Sequence, residues 1–254
     1  MAIAKLFTDI IKKSTDDALR AMDDVAGVVK PTAQDEYLMN LADREVAKAA
    51  DFTINPAKTQ RANTTPTYDK AFDILGINEG ETILDYGAGL GLGSQRARDA
   101  GANVLTFEPF PQKGFEPNFT TPADVPENVA DKVVNMNVLN VLPPEQRAEA
   151  VQTIGRALKP GGSAIINTRS ATEVNAAKNK TKSEDGWIVG TGKERTFQKG
   201  FTPKELLDYT KSVLGPGFQV EPVKGLSGAS VKVTKLNQPQ QEVVSPFYED
   251  PFSA

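Results

Sequence analysis

The 254-residue chain contains no cysteine and no histidine. Without cysteine there is no disulfide framework, and zinc-finger and iron–sulfur ligation are excluded as well. Cysteine and histidine nucleophiles, and histidine as a general base, are also ruled out. Aromatics are sparse at 7%, with a single tryptophan, yet 39% of the residues are hydrophobic, enough for an ordinary core. Long apolar runs are missing. In Met1–Ile11 the apolar groups are broken by Lys5 and Asp9 and followed by Lys12 and Lys13, too short and too charged for a signal region or a membrane span. The expectation is a soluble, cytoplasmic protein without membrane contact. Neither sign of charge dominates: 29 Lys and Arg stand against 33 Asp and Glu, net −4, so charge alone does not point to nucleic acid.

What is present divides the chain in three. Residues 1–50 read as a helical extension, because Ile3, Leu6, Phe7, Ile10 and Ile11, then Ala18, Leu19, Met22 and Val25, recur at three- and four-residue steps. Residues 51–236 read as one domain, and residues 237–254, rich in Gln and Pro with three late aromatics, as a flexible tail. The extension and the tail are the segments expected to engage a protein partner. Within the domain, short apolar strands alternate with helices: Thr82–Leu84, Val104–Phe107, Lys132–Asn135 and Ala164–Ile166, with helices at Tyr68–Leu75, Ser94–Ala100 and Pro144–Leu158. That alternation predicts an α/β fold with a mostly parallel sheet and helices on both faces. Thr202-Pro203-Lys204-Glu205 marks a helix start, and Phe218–Val223 and Ser230–Thr234 are the last two strands.

The first strand runs into Asp85-Tyr86-Gly87-Ala88-Gly89-Leu90-Gly91. Glycines after a strand let the backbone pass close to a nucleotide at the carboxyl edge of a sheet. The dinucleotide spacing G-x-G-x-x-G fails in both frames, ending on Leu92 or Ser94. Asp85 is the sharper discriminator, because a carboxylate here would repel a pyrophosphate but favour a cofactor carrying an ammonium and a sulfonium. Glu108, at the end of the next strand, is placed to accept ribose hydroxyls.

The segment Asp85–Gly91 resembles the first motif of the class I S-adenosylmethionine-dependent methyltransferases. Glu108 matches the acid after their second strand, Ala130–Leu139 their fourth-strand region, and Leu158–Gly162 the turn into their fifth. Thr65–Tyr68 and Glu108–Pro111 are similar to methyltransferase-like domains of phage multi-domain proteins. The resemblance implies a Rossmann-like, seven-stranded sheet and S-adenosylmethionine as cofactor. It implies that Gly87, Gly89 and Gly91, with Tyr86 and Ala88 between and before them, pass beneath the methionine part while Asp85 faces its ammonium. Glu108 would hold the ribose, with Pro109 and Phe110 beside the adenine and Thr121 or Asp124 near its amino group. Asn137 and Leu139 would line the wall nearest the methyl, and Tyr68 and Arg61 would close over the cofactor. Several of these also admit a plain structural reading: Tyr68 and Leu139 as core, Arg61 as a surface charge, Asn137 as the cap of a turn.

Displacement at a methyl sulfonium needs alignment and exclusion of water more than it needs a base. The implied function is methyl transfer to a small-molecule or protein acceptor, without a metal and without a base that the sequence names. The alternative is a binding or assembly module without turnover, as in a phage particle. Nucleic acid is disfavoured, since the Pro-Pro-aromatic tetrad of amino-methylating DNA enzymes and the cysteine of cytosine-C5 enzymes are both missing. The polar stretch Ser170–Lys199, with Trp187, overhangs the carboxyl edge and is the place expected to select the acceptor.

Overall fold

A computed structural model describes residues 52–60 and 66–237. Residues 1–50, expected as a helical extension, Arg61, and residues 238–254 of the expected tail lie outside the described residues. The chain enters through a two-residue strand β1 (Thr53–Ile54) and a 3-10 turn (Pro56–Thr59), then forms helix α1 (Pro66–Leu75). Ala71, Phe72 and Leu75 give α1 its buried stripe, and Gly76, at φ +65°, ends it by donating its N–H to the Phe72 carbonyl at 2.9 Å.

Strand β2 (Thr82–Tyr86), helix α2 (Gln95–Asp99), strand β3 (Asn103–Phe107), strand β4 (Ala130–Met136), helix α3 (Pro144–Ala157) and strand β5 (Leu158–Thr168) follow. Strands β2 to β5 pair in parallel. Their apolar runs are continuous because both faces are covered. Leu84, Val133 and Ile166 pack on one face with Val151 and Ile154 of α3. Their neighbours Ile83, Val134 and Ile165 pack on the other face with Phe72 of α1 and Ala97 of α2. A period of two thus separates the two cores.

After β5 come helix α4 (Ala171–Asn175), strands β6 (Lys180–Ser183), β7 (Gly186–Val189) and β8 (Glu194–Gln198), helix α5 (Pro203–Leu214), and strands β9 (Phe218–Pro222) and β10 (Ala229–Lys235). The Thr202 hydroxyl accepts the Glu205 N–H and the Glu205 side chain reaches back to the Thr202 N–H, the capping box that starts α5. Strand β10 inserts antiparallel between β5 and β9, giving the order β3-β2-β4-β5-β10-β9.

The sheet has six strands, not the seven expected. Where a further edge strand would lie beside β3, only Phe119 forms a single bridge to Phe107. Pro109, Pro111, Pro117 and Pro122 crowd that segment, and a residue without an N–H cannot extend a ladder. A second difference lies at Lys159–Gly162. These residues were expected as a turn, but they belong to β5, whose pairing with β4 shifts register there.

The stretch Ser170–Lys199 is not irregular. It builds a second sheet, β1-β8-β7-β6, in which β1 pairs in parallel with β8. We call it the cap. Its β6–β7 turn is fastened to α3 by Arg147, 2% exposed, whose guanidinium makes two bonds to Asp185, at 2.7 and 3.2 Å. The same group donates to the carbonyls of Leu139 at 3.1 Å and Leu142 at 2.9 Å, and lies over the rings of Phe201 and Tyr209. Trp187 is packing of this cap: its Nε1 donates to Asn175 Oδ1 at 3.0 Å, and Lys180 and Lys182 flank its ring. Among the described residues no helix is long and apolar enough to cross a membrane.

Candidate cofactor and acceptor site

The carboxyl ends of β2, β3, β4 and β5 open into one cavity of about 850 Å³, roofed by the cap and the 3-10 turn. That is within the usual range for small-ligand sites. The glycine turn shapes one wall. Gly87 sits at φ +93°, and a Cβ there would stand 2.2 Å from Val138 Cγ2, so the chain can follow this path only without a side chain. Gly93 lets the Tyr68 ring approach equally closely, since a Cβ there would lie 2.4 Å from Tyr68 Cζ.

Glu108 is 6% exposed and lines the cavity. One carboxylate oxygen accepts the Gly89 N–H at 2.8 Å, the other the Phe110 N–H at 3.0 Å. Burial raises its pKa above the ordinary carboxylate value, and these two N–H groups, with the Gln60 side chain, partly offset the rise. With the Gly89 and Phe110 N–H groups and the Gln60 side chain already donating to it, the carboxylate keeps acceptor capacity for a further hydroxyl.

Asp85 is fully buried and does not face the cavity. Ser94 Oγ donates to it at 2.6 Å and the Tyr68 hydroxyl at 3.1 Å. Burial pushes its pKa up to about 6, against the pull of the Ser94 and Tyr68 hydrogen bonds and of Arg98. Its partner Tyr68 does line the cavity, and desolvation followed by the Asp85 charge raises the Tyr68 hydroxyl pKa well above its ordinary value. The carboxylate thus meets the cavity lining only through its hydrogen bond with Tyr68.

Of the residues singled out from the sequence, the structure gathers Tyr68, Tyr86, Gly87, Ala88, Gly89, Glu108, Pro109, Phe110 and Asn137 around this cavity. Asn137 is left-handed at φ +59°, a conformation asparagine tolerates, and its N–H is held by the Asn167 carbonyl at 2.8 Å. Gly91 turns away, against the Phe115 ring. Leu139 is fully buried in the core with α3. Asp124 accepts the Thr121 hydroxyl at 2.7 Å on the exposed side, leaving Pro122 as that segment's contribution to the wall.

Sequence reasoning missed Gln60, Asn140, Arg169, Thr196 and Gln198. Gln60, just before the segment outside the description, donates through Nε2 to the Phe110 carbonyl at 3.0 Å. Thr196 and Gln198 arrive on the cap strand β8. The only signal for them was the position of the insert after the fifth apolar strand.

The donor set fits S-adenosylmethionine better than a phosphate-bearing nucleotide. Two buried carboxyl groups adjoin the glycine turn, Glu108 is poised for a diol, and Phe110, 45% exposed, offers a ring to a base. Among the described residues no group of acids is placed to hold a metal ion.

Comparison with known proteins agrees. Residues 58–188, just over half of the chain, match the family described as "Methyltransferase domain". The fold is similar to that of Burkholderia thailandensis 1,6-didemethyltoxoflavin-N1-methyltransferase, solved with 1,6-didemethyltoxoflavin and S-adenosylhomocysteine. It is 18% identical, the match covers 84% of this chain and 93% of that one, and the TM-score is 0.50. The PH0226 protein from Pyrococcus horikoshii OT3 is similar too, at 14% identity, 68% and 91% coverage and a TM-score of 0.53. At such identities the likeness is one of fold. No curated protein matches the chain by sequence. The family match, joined to this fold and this turn, establishes that the chain belongs to the class I S-adenosylmethionine-dependent methyltransferases, with S-adenosylmethionine as its cofactor.

Proposed function

We propose that the chain transfers a methyl group from S-adenosylmethionine to a small-molecule acceptor by in-line displacement. The observation that carries this reading is a cavity of about 850 Å³ lined both by the glycine turn and Glu108 and by the cap strand β8. When bound, the cofactor supplies a methyl on a cationic sulfur, an electrophile that needs no further activation. The chain's residues then have to bind, align and keep water out. Glu108 receives the ribose hydroxyls, Phe110 and Pro109 flank the adenine, and Gly87–Gly89 pass beneath the methionine part. Tyr68, held by Asp85, closes that end, and Asn137 stands at the methyl. Arg61 pairs with the cofactor's carboxylate, as the resemblance assigns it, and Asp124 keeps its role near the adenine only if it moves to the cavity on binding.

A small acceptor is favoured because a cavity of about 850 Å³ is within the usual range for small-ligand sites. The Burkholderia protein of similar fold, crystallised with 1,6-didemethyltoxoflavin, is consistent with that size class. Incubating the protein with methyl-labelled cofactor and fractionated cell extract tests it. Label is expected in the low-molecular-weight fraction. Label in macromolecules would make the acceptor a protein or nucleic acid. Label nowhere, despite S-adenosylhomocysteine binding, would favour a binding module, including the phage-type one.

The buried acid gives a pH dependence. Its folded pKa, about 6, lies above the reference value of 3.8, so the folded state binds more protons between those values. Stability therefore falls as pH rises from about 4 to about 6 and stays lower above that range. Cofactor affinity should move the other way, rising several-fold as pH passes about 6 and Asp85 becomes the anion that favours an ammonium. Asp85→Asn should flatten both profiles. Calorimetry with S-adenosylhomocysteine and thermal unfolding, each on both sides of that pH, measure the two effects.

A further inference from the structure

Resting on the small-molecule reading above, we propose that the acceptor carries an uncharged N–H group and that the side-chain carbonyl of Asn140 receives it. Asn140 follows β4, is 1% exposed, and lines the cavity under the cap. Both its backbone and its side chain grip strand β8 and its end. The Lys199 N–H donates to the Asn140 carbonyl at 2.7 Å, and Asn140 Nδ2 donates to Gln198 Oε1 at 3.3 Å. Gln198 Nε2 in turn donates to Thr196 Oγ1 at 3.4 Å. Each amide nitrogen of this chain thus has an N–H engaged, while Asn140 Oδ1 has no hydrogen-bond partner.

Six buried side-chain N or O atoms among the described residues lack a partner, and two of them belong to residues that line the cavity. One is Gln60 Oε1, beside Phe110 at the cofactor end; the other is Asn140 Oδ1, at the cap end. A buried carbonyl without a donor is costly, and a ligand that brings a donor recovers that cost. The need at the cap end is therefore for a donor.

Two of the charged groups on the cavity wall are satisfied from within. Lys58 is paired with Glu194 at 3.5 Å, and Glu173, with Arg169 near it, accepts the Ser170 N–H and hydroxyl as a helix cap. The exposed Glu149 of α3 also lines the cavity. A neutral acceptor suits such a wall. Nitrogen suits it better than oxygen, because an amide oxygen can hold a hydrogen in place but does not take the proton, and an alcohol would want a base. The acceptor nitrogen forms the new N–C bond with its own electron pair as the C–S bond breaks and leaves its pair on sulfur. The N–H proton then passes to water.

The test uses the full chain saturated with S-adenosylhomocysteine and two probes that differ by one hydrogen-bond donor, pyrazole and N-methylpyrazole, with benzoate and benzylammonium as charged controls. Ligand-observed NMR is expected to show pyrazole bound roughly tenfold or more tighter than N-methylpyrazole. Asn140→Leu should abolish that difference and Asn140→Asp should retain it, while calorimetry shows S-adenosylhomocysteine still bound to both. Equal binding of the two pyrazoles, binding of neither, preference for a charged probe, or discrimination surviving in Asn140→Leu would each overturn the proposal. Should Asn140→Leu not fold, the wild-type pair still decides. Failure of the wild type to bind S-adenosylhomocysteine would instead remove the cofactor reading on which this rests.

Discussion

Glu108→Ala is expected to weaken S-adenosylhomocysteine binding by about 100-fold, roughly 2.7 kcal/mol. The carboxylate is buried at 6% exposure and has two sets of partners. Its internal bonds, from the Gly89 and Phe110 N–H groups at 2.8 and 3.0 Å, tie the glycine turn to Phe110. Its remaining lone pairs are the ones offered to ribose. Hydrogen bonds to a charged group contribute about 1.5–3 kcal/mol each, and the alanine variant loses them at both levels. Glu108→Gln should recover only part of the affinity, because its NH2 would face a backbone N–H where the carboxylate accepted one. Calorimetry on folded protein is the measurement. Binding of the alanine variant within about threefold of wild type would mean that Glu108 props the turn and does not hold the cofactor.

Arg147→Ala is expected to lower the unfolding free energy by about 3–5 kcal/mol, the usual cost of breaking a buried ion pair from one side. Here the loss has three parts. Asp185 loses its two-pronged partner, although its own side chain is 39% exposed, so solvent repays some of that. The carbonyls of Leu139 and Leu142 lose their donors, and the space between Phe201 and Tyr209 is left open. For a domain of this size the melting temperature should fall by roughly 10 °C. Asp185→Asn should cost much less. Equal effects of the two substitutions would place the stabilisation in the ion pair, not in the burial of the guanidinium.

Both predictions depend on contacts of very different sequence range, and this explains what was legible beforehand. The glycine turn, Asp85 and Glu108 could be read directly, since each is set by the chain's own path at the end of a strand. The parallel order of β2 to β5 was legible for a similar reason: Ile83-Leu84, Val133-Val134 and Ile165-Ile166 are apolar at successive positions, as strands covered on both faces must be. The count of strands was not. Phe119 and its neighbours have aromatic and threonine character, but the prolines around them leave one bridge where a strand was expected.

The cap was the larger omission. Lys180-Thr181-Lys182-Ser183 carries no hydrophobic alternation, and its strand exists because it pairs with Gly186–Val189 and so, through β7 and β8, with Thr53 and Ile54 far upstream. Pairing of that kind is a property of the assembled chain. It brought Thr196 and Gln198 to the cavity wall.

The sequence by itself determined the family, the α/β sheet and the cofactor end of the site, because local backbone geometry and side-chain periodicity encode them within a few residues. Only the tertiary structure decided that Asp85 is sealed behind Tyr68 and Ser94, that Leu139 belongs to the core, and that Arg147 fastens a second sheet over the cavity. Those outcomes turn on which buried groups find partners across 9 to 58 positions of chain, as in Ser94 with Asp85 and Asn140 with Gln198. Burial makes such partnering obligatory, and no local pattern announces it.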